Sequence, residues 1–262
     1  MKTLSIAALT LALLGPPPAA YAQTAPDLAY PGPYFPGGPD SLRAFVYRAT
    51  RQGAGPTVTG QVALTFKLEN GQKPSDFKLL SPPEKLSPAL AKAGRSAAAY
   101  LSSRMPDWQP PLPDPDAPAR TSNPSVTLLL DFSRPLADQP YYYADQEAQF
   151  DISLPPVRMR AGAVPPPAPR HARNQMHQYL QRQIKYPVAA LRSGLSGVVV
   201  AYFEVSPSGE VESRQIIGSA NKVLDAEVTR VLAELPAAPA PARLRDQPVR
   251  QYFTVPFTFS IQ

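Results

Sequence analysis

Along this chain apolar residues recur at a spacing of two in some stretches and of three to four in others, and each change of period marks a new element. The run Gly197-Val198-Val199-Val200-Ala201-Tyr202-Phe203-Glu204-Val205 is rich in β-branched and aromatic residues and predicts a strand. Ser206-Pro207-Ser208-Gly209 predicts a turn, and Glu210 to Ile217 a returning strand, so the two make a hairpin. An earlier stretch does the same. Gly60 to Leu68 runs into Glu69-Asn70-Gly71 and returns through Phe77 to Leu80, with Asn-Gly as a strong hairpin signal. Both stretches set a glycine six residues before a phenylalanine, Gly60 before Phe66 and Gly197 before Phe203.

Helical spacing follows each hairpin. Leu224, Val228, Val231, Leu232 and Leu235 share one face, with Asp225 placed to cap the start. In the earlier stretch Ser87-Pro88 is a capping residue followed by proline at the first helical position. Its apolar face is thinner: Leu90, Ala97 and Leu101, with Gly94 weakening the middle. Each helix leaves through prolines, and Trp108 in the first exit predicts a core residue packing helix on sheet. A closing strand comes next, Val126 to Ser133 and Tyr252 to Ile261. A helix also precedes each hairpin, with Leu42, Phe45 and Val46 on its face in one case and Met176, Tyr179, Leu180 and Ile184 in the other.

The order helix, strand, strand, helix, strand therefore occurs twice. It predicts an α+β fold of two tandem small domains, each with two helices packed on an antiparallel sheet of about three strands. The expected division is a leader over 1–22, a first domain over 23–135, an arm and linker over 136–173, and a second domain over 174–262. Leu154 to Arg173 is rich in proline, alanine and arginine, which predicts an extended, semi-rigid linker. Tyr141-Tyr142-Tyr143 to Ile152 reads equally as an extra strand or a structured arm, and the three tyrosines as an aromatic patch or as residues alternating across a strand.

From Gln175 to Gln262 the chain resembles the TonB C-terminal domain family. The matching residues are Ile184-Lys185-Tyr186-Pro187, Ala190, Gly194-Leu195-Ser196-Gly197-Val198, Gly209, Leu224-Asp225, Pro241-Ala242, Gln247-Pro248-Val249 and Val255-Pro256-Phe257-Thr258-Phe259. Any one piece is weak, and the ordered set is specific. Tyr34-Phe35-Pro36-Gly37-Gly38, Leu42 and Pro106-Asp107-Trp108-Gln109-Pro110 extend a degenerate likeness to the first copy. That copy lacks the Tyr-Pro step and the Pro-Val element and carries a proline-rich insertion from Pro111 to Pro124. In the second copy Pro239 takes the tryptophan position, and Asp246 stands where the family has glycine. The resemblance implies a periplasmic binding module that pairs a sheet edge with an extended peptide of an outer-membrane transporter. A full transducer of this family also needs an inner-membrane anchor.

Composition narrows the setting. Lys2, the apolar run Leu4 to Leu14, the break at Gly15 to Pro18 and the small residues of Ala20-Tyr21-Ala22 read as a secretory signal peptide cleaved after Ala22. The competing reading is an inner-membrane anchor, for which the run falls short of the roughly 20 residues a span needs. There is no cysteine, which excludes disulfides and thiolate metal sites. The net charge is +6, with Lys and Arg scattered along the chain, an argument against a nucleic-acid partner. His171, in the linker, and His177, read as solvent-facing on its helix, lack metal-pair spacing. Gly194-Leu195-Ser196-Gly197 is a turn rather than a nucleophile elbow. Asp225 and Glu227 read as first-turn carboxylates serving the helix dipole. No enzyme and no cofactor are expected.

The expected function is peptide binding at a sheet edge, the partner being an outer-membrane transporter or another envelope protein. The competing reading is a structural envelope protein that grips peptidoglycan or pairs with itself as a homodimer, without a transport role. The candidate edge is the closing strand of the second domain: Tyr252, Phe253, Thr254, Val255, Phe257, Thr258 and Phe259, all good strand formers. Pro256 within it fits an edge better than a sheet interior. Nothing downstream in the sequence covers its outer side.

Overall fold

The computed structural model describes residues 28–52, 57–80, 82, 84, 86–110, 123–152 and 171–261. The expected signal peptide, residues 111–122 of the proline-rich insertion and most of the expected linker lie outside the described residues.

The first half runs α1 (Gly38–Arg51), β1 (Gln61–Glu69), β2 (Lys73–Leu79), α2 (Pro88–Arg104) and β3 (Ser125–Asp131). A single 3-10 turn, Leu136–Asp138, leads into the tyrosine tract. The second half runs α3 (Ala172–Gln183), α4 (Val188–Arg192), β4 (Gly197–Val205), β5 (Val211–Gly218), α5 (Lys222–Ala233), β6 (Arg243–Leu244), β7 (Gln247–Pro248) and β8 (Gln251–Phe259). The strands form two antiparallel three-stranded sheets, ordered β2-β1-β3 and β5-β4-β8, with β6-β7 a separate two-residue pair. Helices and antiparallel sheets segregate as the pattern predicts, and the fold is α+β.

Local chemistry explains most of the element ends. The Ser87 side chain accepts the Leu90 amide at 3.2 Å, with Pro88 opening α2. Gly94, a weak helix former, faces β1, where an added Cβ would make ordinary van der Waals contact with Val62 at 3.4 Å. Asn221, not Asp225, caps α5, its side chain accepting from the Val223 amide. Asp225 sits buried in the first turn and accepts the Ser219 hydroxyl instead. Glu227 lies two residues further on, just beyond the first turn, where it takes the Lys185 amide at 2.8 Å and pairs with Arg230. Gly209 closes the β4–β5 turn at φ +87, and a Cβ would stand 2.0 Å from the Ala238 carbonyl oxygen. Arg245 and Asp246, both at positive φ, make the two-residue turn between β6 and β7, the backbone for which glycine is the cheaper residue.

Each sheet buries one face under helices. Val62, Leu64, Phe66 and Leu68 of β1 join Leu42, Val46, Leu90, Ala97, Leu101 and the buried Trp108 in the first core. Val199, Ala201, Phe203 and Val205 of β4 join Met176, Leu180, Leu224, Val228, Phe253, Val255 and Phe257 in the second. Residues of opposite parity point away from the helices. Ala63 and Leu129 of the first sheet meet Val200, Tyr202, Ile217 and Tyr252 of the second in a third cluster. The helix-free faces of the two sheets thus pack on each other, which is why β4 is apolar on both faces and reads as an unbroken run.

The tyrosine tract is neither a strand nor an exposed patch. Tyr141 and Tyr143 are buried, and Tyr143 stacks on Tyr30 with ring centroids 4.5 Å apart. The segment makes isolated bridges, Gln146 to both Ala29 and Arg243 and Gln149 to Ala240, and delivers Ala144, Ala148 and Phe150 to the second core. It is an arm shared by both halves.

Candidate functional site: the outer edge of the second sheet

β8 pairs with β4 without interruption from Gln251↔Val205 to Phe259↔Gly197, so along it the backbone groups of alternate residues face β4 and the outside. Three contacts show which set faces out. The Tyr252 N–H donates to the Tyr141 carbonyl at 2.9 Å, the Arg250 carbonyl accepts the Tyr141 N–H at 2.9 Å, and the Pro256 carbonyl accepts Gln181 Nε2 at 2.7 Å. Even-numbered residues therefore face outward. Pro256 falls in that set, and its missing N–H costs the β4 ladder nothing. The amides of Thr254 and Thr258 point the same way and have no partner among the described residues.

The candidate residues divide accordingly. Tyr252, Phe253, Val255, Phe257 and Phe259 are buried, and their side chains build the cores rather than a contact surface. Thr254 is buried as well, while Pro256 and Thr258 are exposed. What the strand offers to the outside is main chain. The expectation that nothing covers its outer side needs correction, because cover comes from upstream in the sequence: Tyr141 makes a parallel bridge to Gln251, and Gln181 of α3 reaches Pro256. On either side of Pro256 the outward amides of Thr254 and Thr258 are left without a partner among the described residues.

Charged groups fix the flanks of this edge. Glu147 and Arg173 form a buried ion pair, Arg173 Nε donating to both carboxylate oxygens at 2.8 and 2.9 Å. Gln251 Nε2 donates to the same carboxylate at 2.8 Å, while the guanidinium lies 4.8 Å from the Phe253 ring. Burial opposes the Arg173 charge, but Glu147 prevails and holds its pKa above the ordinary value. Sequence composition assigned Arg173 to a linker; it belongs to α3 and ties the arm to β8. Tyr141 donates to Asp40 at 2.7 Å, and burial followed by that bond pushes its hydroxyl up to about 12. Glu204 is fully buried between the sheets. Burial works against its charge, yet hydrogen bonds from Arg134 and Tyr202 and the charge of Arg250 keep its pKa low.

His177 departs from the solvent-facing position expected of it. The residue is half-buried and its Nε2 is shut off from solvent with no hydrogen-bond partner. Burial, then the nearby Arg173 charge, push its pKa down to about 3. His171 stands at the N-terminus of α3. Among the described residues no three His, Cys, Asp or Glu side chains gather as a metal would require. A cleft of about 800 Å³ opens between the halves, lined by Arg43, Arg134, Tyr141, Glu212 and Arg250 among others. Arg134 and Arg250 are already held by Glu204, and Arg250 by Glu212 as well. Among the described residues that line the cleft, no nucleophile stands beside a base. What the arrangement can do is accept an added strand.

Among the described residues no helix is long and apolar enough to cross a membrane. No curated protein matches the chain. Residues 182–261, from the end of α3 to the end of β8, match the family described as Gram-negative bacterial TonB protein C-terminal. That family is one of non-catalytic protein-interaction domains, which engage outer-membrane transporters, and it points to an envelope setting. The sheet β5-β4-β8 with α4 and α5 is thus the part of the chain that is similar to this family.

Proposed function

We propose that this chain is a periplasmic adaptor that pairs the outer edge of β8 with an extended segment of an outer-membrane transporter or another envelope protein. The observation that carries the reading is the pair of outward amides at Thr254 and Thr258, left unpartnered beside an edge that already holds main chain at Tyr141. Export with cleavage after Ala22 belongs to the same reading. So does a degenerate tandem copy in the first half. Gly60, Phe66 and Asp76 stand at the same spacing as Gly197, Phe203 and Ser213, and in both sheets the last of these sits at positive φ beside a register shift. That shared bulge supports domains over 23–135 and 174–262, joined by the arm and linker.

A photo-crosslinking amino acid at Thr258, activated in the native envelope, tests the role. Crosslinks to an extended segment of an outer-membrane transporter, lost in a folded Thr258→Pro variant, are the expected result. The Thr258 amide faces away from β4, so proline there removes an outward donor and spares the ladder. One neutral hydrogen bond is worth about 1 kcal/mol, hence a loss of roughly fivefold in affinity. Crosslinks confined to peptidoglycan or to a second copy of the chain would instead establish the structural reading.

A further inference from the structure

Beside the cluster where the two sheets meet lies a void of about 20 Å³. Arg43 of α1, Leu129 of β3, Gln139 and Pro140 ahead of the tyrosine tract, and Tyr252 of β8 are among its walls, so both halves of the chain contribute. Polar groups with unspent hydrogen-bonding capacity meet there. Arg43 spends one terminal nitrogen on the Gln139 carbonyl at 3.3 Å and lays its guanidinium over the Tyr141 ring at 4.1 Å, while its Nε is buried with no partner among the described residues. The Tyr252 oxygen accepts the Leu129 amide at 3.4 Å, a long bond, and its own proton has no acceptor among the described residues. Gln139 is the converse case. Its Nε2 donates to the Asp131 and Arg134 carbonyls at 3.1 and 2.9 Å, which leaves its amide oxygen uncommitted. Two donors and one acceptor thus line one small space.

We propose that this void is the binding site of a single water molecule, which accepts from Arg43 Nε and the Tyr252 hydroxyl and donates to the Gln139 amide oxygen. Size and chemistry select the occupant together. One water needs roughly 10–15 Å³ of such space and takes about 30 Å³ of the liquid, so the void admits one and not two. Three polar partners match the two to four that hold buried water in proteins. A cation is repelled by Arg43. A halide ion could take both donors, but it would face the Gln139 oxygen at close range. The water does more than fill space. A phenol oxygen holds its proton and its acceptor lone pair on different sides, so donating to the water turns a lone pair toward the Leu129 amide. The molecule thereby joins α1 of the first half to β8 of the second and keeps one outward amide of β3 occupied. The site stands apart from the edge-binding reading and does not depend on it.

A high-resolution crystal structure of the full chain, with one crystal soaked in sodium bromide, tests the site directly. The expected result is one peak of water density about 2.7–3.2 Å from both Arg43 Nε and the Tyr252 oxygen, with no anomalous signal from bromide. No peak, a peak that takes up bromide, or an Arg43 Nε turned onto a protein carbonyl would each overturn the proposal. A double-mutant cycle reads the same link in solution. Arg43→Met, Tyr252→Phe and the double variant are unfolded in urea and followed by circular dichroism. Two side chains joined by one water lose it together, so the second substitution should change the unfolding constant less after the first than alone, by more than about twofold. Effects that combine independently to within about twofold would show that no shared molecule joins them.

Discussion

Replacing Arg173 by methionine tests the claim that a buried ion pair fastens the arm to the second domain. Methionine keeps much of the length and apolar stem of arginine, so the change removes charge and donors more than volume. The Glu147 side chain is about 1% exposed and that of Arg173 about 8%. Without Arg173 the carboxylate keeps Gln251 Nε2 at 2.8 Å as its side-chain donor and loses its counter-charge. Leaving one member of a buried pair alone costs about 3–5 kcal/mol. The guanidinium also donates to the Tyr142 carbonyl at 2.8 Å and lies 5.2 Å from the Tyr30 ring and 4.8 Å from Phe253, contacts worth about 1 kcal/mol more. Against a total stability on the order of 5–15 kcal/mol the loss is large. Urea unfolding followed by circular dichroism measures it, and the double variant Arg173→Met with Glu147→Leu supplies the control. Removing both charges should recover most of the loss, because an apolar pair in the same space is close to neutral. A single variant that loses less than about 1 kcal/mol would refute the reasoning. So would a double variant no more stable than the single.

Three further outcomes follow from the structure. His177 stays neutral in the fold down to about pH 3 while the unfolded chain takes a proton near 6.5, so its contribution is full above 6.5 and fades as pH falls toward 3. The slope is up to about 1.4 kcal/mol per pH unit, and His177→Gln should flatten stability over that window in urea titrations at stepped pH. Gly209→Ala should cost about 3 kcal/mol or more, since its Cβ meets the Ala238 carbonyl oxygen at 2.0 Å, whereas Gly194→Ala, at φ +63 in open space, should cost about 1 kcal/mol in the same melts. A chain of residues 171–262 lacks Ala144, Ala148, Phe150 and the Glu147 partner of Arg173 and should give poorly dispersed amide spectra, while residues 136–262 should restore dispersion; equal spectra would show that the arm adds nothing to that core.

What the sequence made legible is what neighbouring residues decide among themselves. Both hairpins, the Ser87 cap and the two helical faces depend on contacts a few residues apart, and they stand where the periodicity puts them. Trp108 was legible as core because a large aromatic at a helix exit has few other places to go. The α5 cap failed for a local reason: Asn221 and Asp225 are both competent, and the Ser219 hydroxyl claims Asp225. Short elements left little trace. The five residues of α4 and the two-residue strands β6 and β7 are too brief for a period to show. The site itself was half visible. Strand propensity and Pro256 marked β8 as an edge, but which residues face outward depends on the register with β4. Gln181 on Pro256, Arg173 on Glu147 and Tyr141 on Gln251 are separated by 75, 26 and about 110 residues, and no local pattern announces them.

The two sheets are built alike and leave unlike edges, and this bears on the proposal that the first half is a degenerate copy of the second. β3 occupies in the first sheet the place of β8 in the second. The Phe132 amide donates to the Gly60 carbonyl, so even residues of β3 face β1 and odd residues face out. Those outward groups are taken in part. Tyr252 places its hydroxyl at 3.4 Å from the Leu129 amide, and Gln139 Nε2 donates to the Asp131 carbonyl at 3.1 Å. A side chain of β8 thus blocks the very edge in the first half that would correspond to the site in the second. Burial pushes the Tyr252 hydroxyl pKa upward, so the group stays neutral at physiological pH while its oxygen accepts the Leu129 amide. An added strand on β3 would have to displace Tyr252 from the cluster between the sheets, where it packs beside Tyr202 and Tyr142. A first sheet whose edge is closed by its neighbour is under no pressure to keep a binding surface, and its remaining duty is to cover Val200, Tyr202 and Ile217. On that reasoning Tyr252→Phe should free the Leu129 amide for hydrogen exchange without touching the exchange of Thr254 and Thr258, and a protected Leu129 amide in that variant would show that packing, not the hydroxyl, closes the first edge.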